Sequence, residues 1–172
     1  GDDGASHNGV WDMAMLQIVP GLRIAAPRDE STLKQSLREA VDIDDAPTVV
    51  RFSKGAIPRD IQAISRESGV DVLADLGDME VCIVAVGSFA PLGLEVAEGL
   101  KAQGIGVRVL DPRWGKPLPQ NVIQQAAQAK LVVVIDDGMR SGGVGAAVSQ
   151  ALRDQNVDVT LRNFGTPLAF LG

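Results

Sequence analysis

The apolar residues of this chain occur in short runs separated by charged or glycine-containing segments. In the first part of the chain, the apolar runs at 22–26 and 48–52 are typical of short β-strands. Between them, apolar positions recur at helical spacing after Asp29, a residue type suited to cap the start of a helix. The pattern predicts strand, helix, strand, the unit that builds parallel sheets with a right-handed crossover.

The second part of the chain has a more regular pattern. Residues 81–86 form a nearly continuous apolar run, as expected of a parallel strand that is covered on both faces. Further elements alternate after it, with strands predicted at 106–111, 131–135 and 157–161, and helices at 90–103, 119–129 and 144–153. This alternation predicts a small three-layer α/β domain with a mostly parallel sheet.

The domain organisation follows from these two parts. Residues 58–78 are rich in charges and turn residues, so we interpret them as an interdomain linker that can add an edge strand near 70–73. The domain at 79–172 is predicted to be complete. Residues 1–57, with a further short helix at 10–18, hold too few elements for an independent sheet domain. We therefore expect a missing N-terminal portion, either lost by cleavage or carried by another polypeptide.

Composition narrows the classes of function. The formal net charge of −6 argues against binding to a nucleic-acid backbone, which requires clustered Lys and Arg. No apolar run reaches the roughly 18 residues of a membrane span, so we expect no membrane partner and a cytoplasmic location. The single cysteine, Cys82, lies within an apolar run and is predicted to be a core residue rather than a nucleophile.

The candidate chemistry lies in residues 2–12, a stretch of acids, glycines and small polar residues around His7, the only histidine. Near neutral pH, a histidine can donate a hydrogen bond to a carbonyl oxygen or carry a proton. Asp3 could orient it, although Asp3-Gly4 is also an ordinary turn pair. From these residues alone, an exposed loop histidine without catalytic role is the favoured interpretation.

Several short blocks carry a family resemblance when they are taken in order. They are the stretches at 3–12, 18–21, 25–29, 50–55, 107–114 and 141–145. In this order they resemble the 1-deoxy-D-xylulose-5-phosphate synthases, thiamine-diphosphate enzymes of the transketolase superfamily. The resemblance covers essentially the whole chain. Transketolases and the beta subunits of oxo-acid dehydrogenases share the architecture, but the blocks at 7–12 and 51–55 favour the synthases.

The resemblance implies a fold and a reaction. Residues 1–57 would be the second half of a pyrimidine-binding α/β domain, and residues 79–172 a transketolase C-terminal-type domain. The whole enzyme would join pyruvate to glyceraldehyde 3-phosphate with loss of carbon dioxide, as a homodimer. Thiamine diphosphate and Mg²⁺ would be bound by residues upstream of this chain. We therefore expect the isolated chain to bind neither and to be inactive.

The resemblance also assigns the predicted site. His7 would be catalytic and face the substrate, while Asp3 and Lys54 would bind substrate, Lys54 through the sugar phosphate. No cofactor-binding or metal-binding residue is expected in this chain. For Arg51, we favour a structural ion pair with an acid such as Asp29.

A second group of residues stays unassigned. Asp136 and Asp137 end a predicted strand, and the glycine loop Gly142–Gly145 follows them. That loop could hold an anion at a helix start, but it lacks a phosphate-binding motif, and close helix packing explains its glycines better. The rival interpretation is a non-enzymatic dimerisation or anion-binding module, in which His7 is merely exposed. Finding that His7 and Lys54 open onto one cleft would favour the enzyme over this rival interpretation.

Overall fold

The computed structural model describes Gly4 and residues 7–171. Its helices are α1 (Asp12–Leu16), α2 (Glu30–Asp42), α3 (Ala90–Lys101), α4 (Gln120–Ala126) and α5 (Val144–Asp154). Its strands are β1 (Arg23–Ala25), β2 (Thr48–Val50), β3 (Ser65–Glu67), β4 (Val70–Leu76), β5 (Val81–Ala85), β6 (Val107–Asp111), β7 (Trp114–Lys116), β8 (Leu131–Met139) and β9 (Thr160–Thr166).

The strands form two sheets. The first has the order β2-β1-β7, with β1 and β2 parallel as predicted. No strand was predicted between 111 and 131, but Trp114–Lys116 forms β7, which runs antiparallel to β1. Strand β7 follows β6 in sequence but belongs to the sheet of the first part. Main-chain hydrogen bonds therefore join the two parts.

The second sheet has the order β3-β4-β6-β5-β8-β9. Strands β5, β6, β8 and β9 are parallel, and β4 runs antiparallel to both of its neighbours. Residues 58–78, expected to be a linker with a possible edge strand, contain both β3 and β4. The edge is β3, and β4 lies inside the sheet between β3 and β6. The charged residue Asp71 of β4 is buried and accepts a hydrogen bond from Arg28.

The second sheet is covered on both faces, as the continuous apolar run predicted. Alternate residues of β5 point into two apolar clusters, one with Cys82 and Val84, the other with Ile83 and Ala85. Helix α3 packs on one face, while α4, α5 and the apolar residues of the first part pack on the other. This confirms the three-layer α/β class and shows that the two parts share a core.

Two local predictions are also confirmed. Asp29 caps α2, since its carboxylate accepts from the amide of Thr32 and the Thr32 hydroxyl accepts from the Asp29 amide. Cys82 is fully buried, and burial raises the pKa of its thiol to about 12. A thiol in that environment stays protonated at neutral pH, which agrees with a core residue.

Candidate functional site

His7 lies in the short loop at 7–11 that leads into α1, here called the His7 loop, and its side chain is exposed. The His7 amide donates to the carbonyl oxygen of Gly4 at 3.2 Å. Farther along, the carbonyl oxygen of Val10 accepts from the amide of Met139 at 3.0 Å, which attaches the loop to β8. Asp3, the predicted partner of His7, lies outside the described residues.

Lys54 lies in the loop at 51–58 that follows β2, here called the Lys54 loop, and its side chain is also exposed. Arg51 begins this loop. Its amide donates to the carbonyl oxygen of Ala25 at 2.9 Å, and its Nη1 donates to Asp137 Oδ1 at 2.5 Å. The expectation of a structural ion pair for Arg51 is confirmed, but the expected partner Asp29 is wrong, because Asp29 is committed to capping α2.

Both loops are attached to one stretch of β8. The strand was predicted to stop at 135, but it continues through Asp136–Met139, here called the β8 extension. Asp137 in the β8 extension holds Arg51, and Met139 holds Val10. Two residues of extended strand span only about 7 Å, so the bases of the two loops are neighbours at the carboxyl end of β8. His7 and Lys54 each lie three positions from the point of attachment of their loop.

The other acid of the β8 extension, Asp136, has a structural role. Its buried carboxylate accepts from the amides of Gly138 at 2.9 Å and Val144 at 3.2 Å, and burial raises its pKa. The second of these bonds places a carboxylate at the start of α5. An anion bound there would meet a competing negative group, so the arrangement disfavours the anion-binding interpretation of this loop.

The glycines before and within α5 are explained by close packing, as preferred from the sequence. A Cβ added at Gly143 would lie 2.4 Å from the carbonyl oxygen of Met139, and one at Gly145 would lie 2.7 Å from Asn163 Cγ. Distances below 3.0 Å are not tolerated without a shift of the backbone or the neighbour. These glycines therefore let α5 pack closely on β8 and β9.

A buried ionic cluster that the sequence reasoning missed joins the two parts near this edge. Arg28, only 4% exposed, follows β1 and donates through Nη1 to Asp71 Oδ2 at 2.7 Å and to Asp111 Oδ2 at 2.6 Å. Its Nε and Nη2 donate to the carbonyl oxygen of Ile61 at 3.2 and 2.9 Å. Asp71 and Asp111 are directly opposite each other on β4 and β6, so Arg28 neutralises a repulsive cross-strand pair.

The environment shifts the pKa values of Asp111 and Asp71 in opposite directions. Burial raises the pKa of Asp111 to about 6, against the attraction of Arg28. Burial alone would also raise the pKa of Asp71, but hydrogen bonds from Arg66 and Arg28 hold it below its ordinary value. A signal for this cluster was present in the sequence, since a lone acid within the apolar stretch 70–74 requires a buried partner.

A second contact between the parts lies beside the carboxyl end of β1, where Trp114 of β7 pairs with Ala25. Arg113 Nη2 donates to Glu39 Oε1 at 2.6 Å, and Trp114 Nε1 donates to Glu39 Oε2 at 3.0 Å. Burial acts to raise the pKa of Glu39, but these hydrogen bonds hold it below its ordinary value. A cavity of about 690 Å³ adjoins this contact and reaches Arg23 at the amino end of β1. Residues 51–58 do not line it.

The described residues were also searched for groups that hold metals. Within Gly4 and 7–171, no cluster of three or more His, Cys, Asp or Glu side chains could hold a metal ion. In the same part of the chain, no helix combines the length and the apolar character needed to cross a membrane.

Family models match both parts of the chain. Residues 71–170 match the transketolase C-terminal domain, and residues 1–59 match the transketolase pyrimidine binding domain. Among solved structures, a split-gene transketolase described as an inactive beta4 tetramer has a TM-score of 0.86 and 27% identity, covering 98% of this chain and 56% of that one. A transketolase from Campylobacter jejuni has a TM-score of 0.75 at 17% identity, covering 98% and 25%, and shows likeness of fold alone.

Curated relatives give a closer comparison. A 1-deoxy-D-xylulose-5-phosphate synthase 2 from Streptomyces avermitilis is 54% identical over 99% of this chain. A 1-deoxy-D-xylulose-5-phosphate synthase from Saccharopolyspora erythraea is 52% identical over the same share. The chain spans about 27% of the length of each. Together with the domain matches, this places the chain in the transketolase family, with marked similarity to its 1-deoxy-D-xylulose-5-phosphate synthases.

Proposed function

We propose that this chain supplies substrate-binding residues to a longer thiamine-diphosphate-dependent synthase. The enzyme would condense pyruvate with glyceraldehyde 3-phosphate, releasing carbon dioxide and forming 1-deoxy-D-xylulose 5-phosphate. The product would serve isoprenoid, thiamine and pyridoxal synthesis. The names of the relatives supply the reaction. The observation that carries the site is the attachment of the His7 loop and the Lys54 loop to neighbouring positions of the β8 extension.

His7 is proposed to act as the hydrogen-bond donor and proton carrier on the substrate side. It lies on an exposed loop whose base is held by Val10 and by the edge-to-face contact of Trp11 with Phe170, at 5.7 Å between ring centroids. Joining a carbon nucleophile to an aldehyde places negative charge on the aldehyde oxygen. A positioned imidazole stabilises that charge by donating to the oxygen. Asp3 is proposed to orient His7 or to accept from a substrate hydroxyl.

Lys54 is proposed to bind the phosphate of the acceptor. Its ammonium is a compact charge that interacts with phosphate as a point rather than as a two-pronged guanidinium. A hydrogen bond between charged groups contributes about 1.5–3 kcal/mol after the cost of desolvation. At that strength, removing Lys54 should weaken acceptor binding by about tenfold or more.

Thiamine diphosphate and Mg²⁺ are assigned to parts of the longer relatives that this chain does not span. On this proposal, the residues of this chain act on the substrate. We propose that the isolated chain is inactive, as is the structurally similar split-gene transketolase described as an inactive tetramer. The active form is proposed to be a cytoplasmic homodimer that includes the N-terminal portion.

The test is product formation by the complete enzyme containing this chain, from pyruvate and glyceraldehyde 3-phosphate. We expect 1-deoxy-D-xylulose 5-phosphate, a large fall in kcat for His7→Ala, and a raised acceptor KM for Lys54→Ala. Lys101→Ala is the matched control, because Lys101 is an exposed lysine at the end of α3, near the amino ends of the parallel strands. Transfer from a ketose phosphate instead of pyruvate would show a transketolase and reject the proposed reaction.

The isolated chain provides a separate test. Calorimetric titration with thiamine diphosphate and Mg²⁺ is expected to give no binding heat. Tight binding would show that this chain holds the cofactor and would reject the assignment of the cofactor to the N-terminal portion.

A further inference from the structure

Asp137 stands between the two parts of the chain and has no assigned role. It lies in the β8 extension, and its side chain is 21% exposed. Both of its carboxylate oxygens are occupied: Oδ1 accepts from Arg51 at 2.5 Å and Oδ2 from the Ser88 hydroxyl at 3.0 Å. Ser88 lies in the turn that follows β5. A residue of the C-terminal part of the chain thus orients the Asp137 carboxylate, which also binds Arg51 of the first part.

Arg51, the first residue of the Lys54 loop, is the residue through which Asp137 contacts this loop. Arg51 is held at two points. Its backbone amide donates a hydrogen bond to the carbonyl oxygen of Ala25 on β1, and its side chain forms the ion pair with Asp137. Its side chain is only 15% exposed, so the ion pair is screened by water less than a surface pair would be. The residue next to it, Phe52, is already exposed, which places the start of the loop directly after this anchor.

We propose that Asp137 is a positioning residue that sets the place of Lys54 through Arg51 and thereby selects a phosphorylated acceptor. This inference rests on the proposed function of Lys54. Asp137 does not itself need to touch substrate. Its carboxylate fixes the Arg51 guanidinium, the guanidinium fixes the first residue of the loop, and the ammonium of Lys54 lies three residues farther on. The C-terminal domain thus contributes to acceptor binding.

A purely structural ion pair would behave differently. Losing it would lower stability, or would impair the reaction with every acceptor alike. A positioning role affects only substrates that use the positioned charge. The comparison of glyceraldehyde 3-phosphate with unphosphorylated glyceraldehyde therefore separates the two, because both present the same aldehyde and only one presents a phosphate.

The experiment uses the complete enzyme and the variants Asp137→Asn and Asp137→Ala. We expect the KM for glyceraldehyde 3-phosphate to rise about tenfold, the loss typical of a charged hydrogen bond. The KM for pyruvate and the kinetic constants with glyceraldehyde should stay unchanged. Arg51→Met should have the same effect, and combining it with Asp137→Asn should add little, since both remove one interaction. Asp137→Glu should recover part of the affinity.

Glu80→Gln is the matched control, because Glu80 forms an exposed ion pair with Lys130 at the amino ends of β5 and β8. It should leave all of these constants unchanged. Should Asp137→Ala fail to fold, two milder variants keep the test in place. Asp137→Asn preserves the shape of the side chain, and Ser88→Ala removes only the hydroxyl that donates to Asp137 Oδ2.

Several results would overturn the inference. One is an equal loss with both acceptors; another is an unchanged KM in Asp137→Asn while Lys54→Ala raises it, which leaves the proposed function standing. If the unaltered enzyme forms no 1-deoxy-D-xylulose 5-phosphate, the proposed function fails, and the inference fails with it.

Discussion

Replacing Arg28 with methionine would remove the charge that joins the two parts of the chain. Methionine keeps most of the length and apolar character of the side chain, so the change isolates the guanidinium. The variant would leave Asp71 and Asp111 fully buried and opposite each other on β4 and β6. It would also remove both hydrogen bonds to the carbonyl oxygen of Ile61.

The expected loss follows from what remains buried. Removing one partner of a buried ion pair costs about 3–5 kcal/mol, because the other charge stays in a poorly polar environment. Here Asp111 loses its ion pair while Asp71 keeps Arg66, so we expect a loss within that range at neutral pH. Since typical domains are stable by only about 5–15 kcal/mol, the variant should be close to unfolding under ordinary conditions.

The loss should depend on pH in a defined direction. In the native protein, the pKa of Asp71 lies below its ordinary value, so its contribution to stability is lost as the pH falls. The pKa of Asp111 is raised from 3.8 to about 6, so its contribution is lost as the pH rises through that window. Without Arg28, the folded-state pKa values of both acids rise. The variant should therefore approach the native protein in stability near pH 5 and fall behind it above pH 7.

Urea unfolding followed by tryptophan fluorescence at pH 5 and pH 8 measures both effects. Arg66→Met is the matched control, because Arg66 also pairs with Asp71 but its side chain is 41% exposed. This control leaves Arg28 in place beside both acids, so it should lose less stability than Arg28→Met. A loss for Arg28→Met no larger than that of the control, or one equal at both pH values, would refute the role given to the cluster.

Three further predictions concern packing and chemistry. Gly93→Ala should destabilise the protein by about 1–3 kcal/mol, since the added Cβ would lie 2.6 Å from the Cβ of Ala85; Gly99→Ala in the same helix meets no atom within 4 Å and should be neutral or stabilising. Urea unfolding measures both, and equal effects would contradict the packing argument. Cys82 should react with a thiol reagent only after unfolding, because its thiol is buried with a pKa of about 12; rapid reaction of the native protein would contradict this. Lys54→Arg should lower the KM for glyceraldehyde 3-phosphate severalfold, because a guanidinium binds phosphate in two-pronged fashion; a raised KM would contradict the phosphate-binding role.

The parts of the fold that the sequence predicts well are those in which one physical pattern dominates. The run at 81–86 is apolar at every position, a pattern typical of a parallel strand that is covered on both faces. Asp29 precedes a helical repeat and has a single strong local role, which the structure confirms. In these places, local preference and tertiary environment agree.

The prediction fails where distant residues compensate an unfavourable local pattern. Strand β4 has acids at Asp71 and Asp75, typical of a linker, yet Asp71 is neutralised by Arg28 from the other part. The β8 extension contains Asp136 and Gly138, typical of a turn, yet amides and Arg51 satisfy its acids. Because these partners are far apart in sequence, no local sequence pattern predicts that they pair.

The predicted site shows the same division. The resemblance selected His7 and Lys54, and the structure places the bases of their loops beside each other on β8. Their roles stay predictions. The anchoring residue Asp137 could not be selected from sequence, because its importance depends on a contact with Arg51 across 86 positions.

The pairing of β7 with β1 has a consequence for how this chain can be divided. Because β7 lies after β6 in sequence but pairs with β1, cutting the chain between residues 58 and 78 would leave the first sheet with only β1 and β2. Such a two-stranded ribbon is not stable by itself and presents a bare edge for self-association. Residues 1–57 of this chain therefore depend on residues 114–116 for the third strand of their sheet.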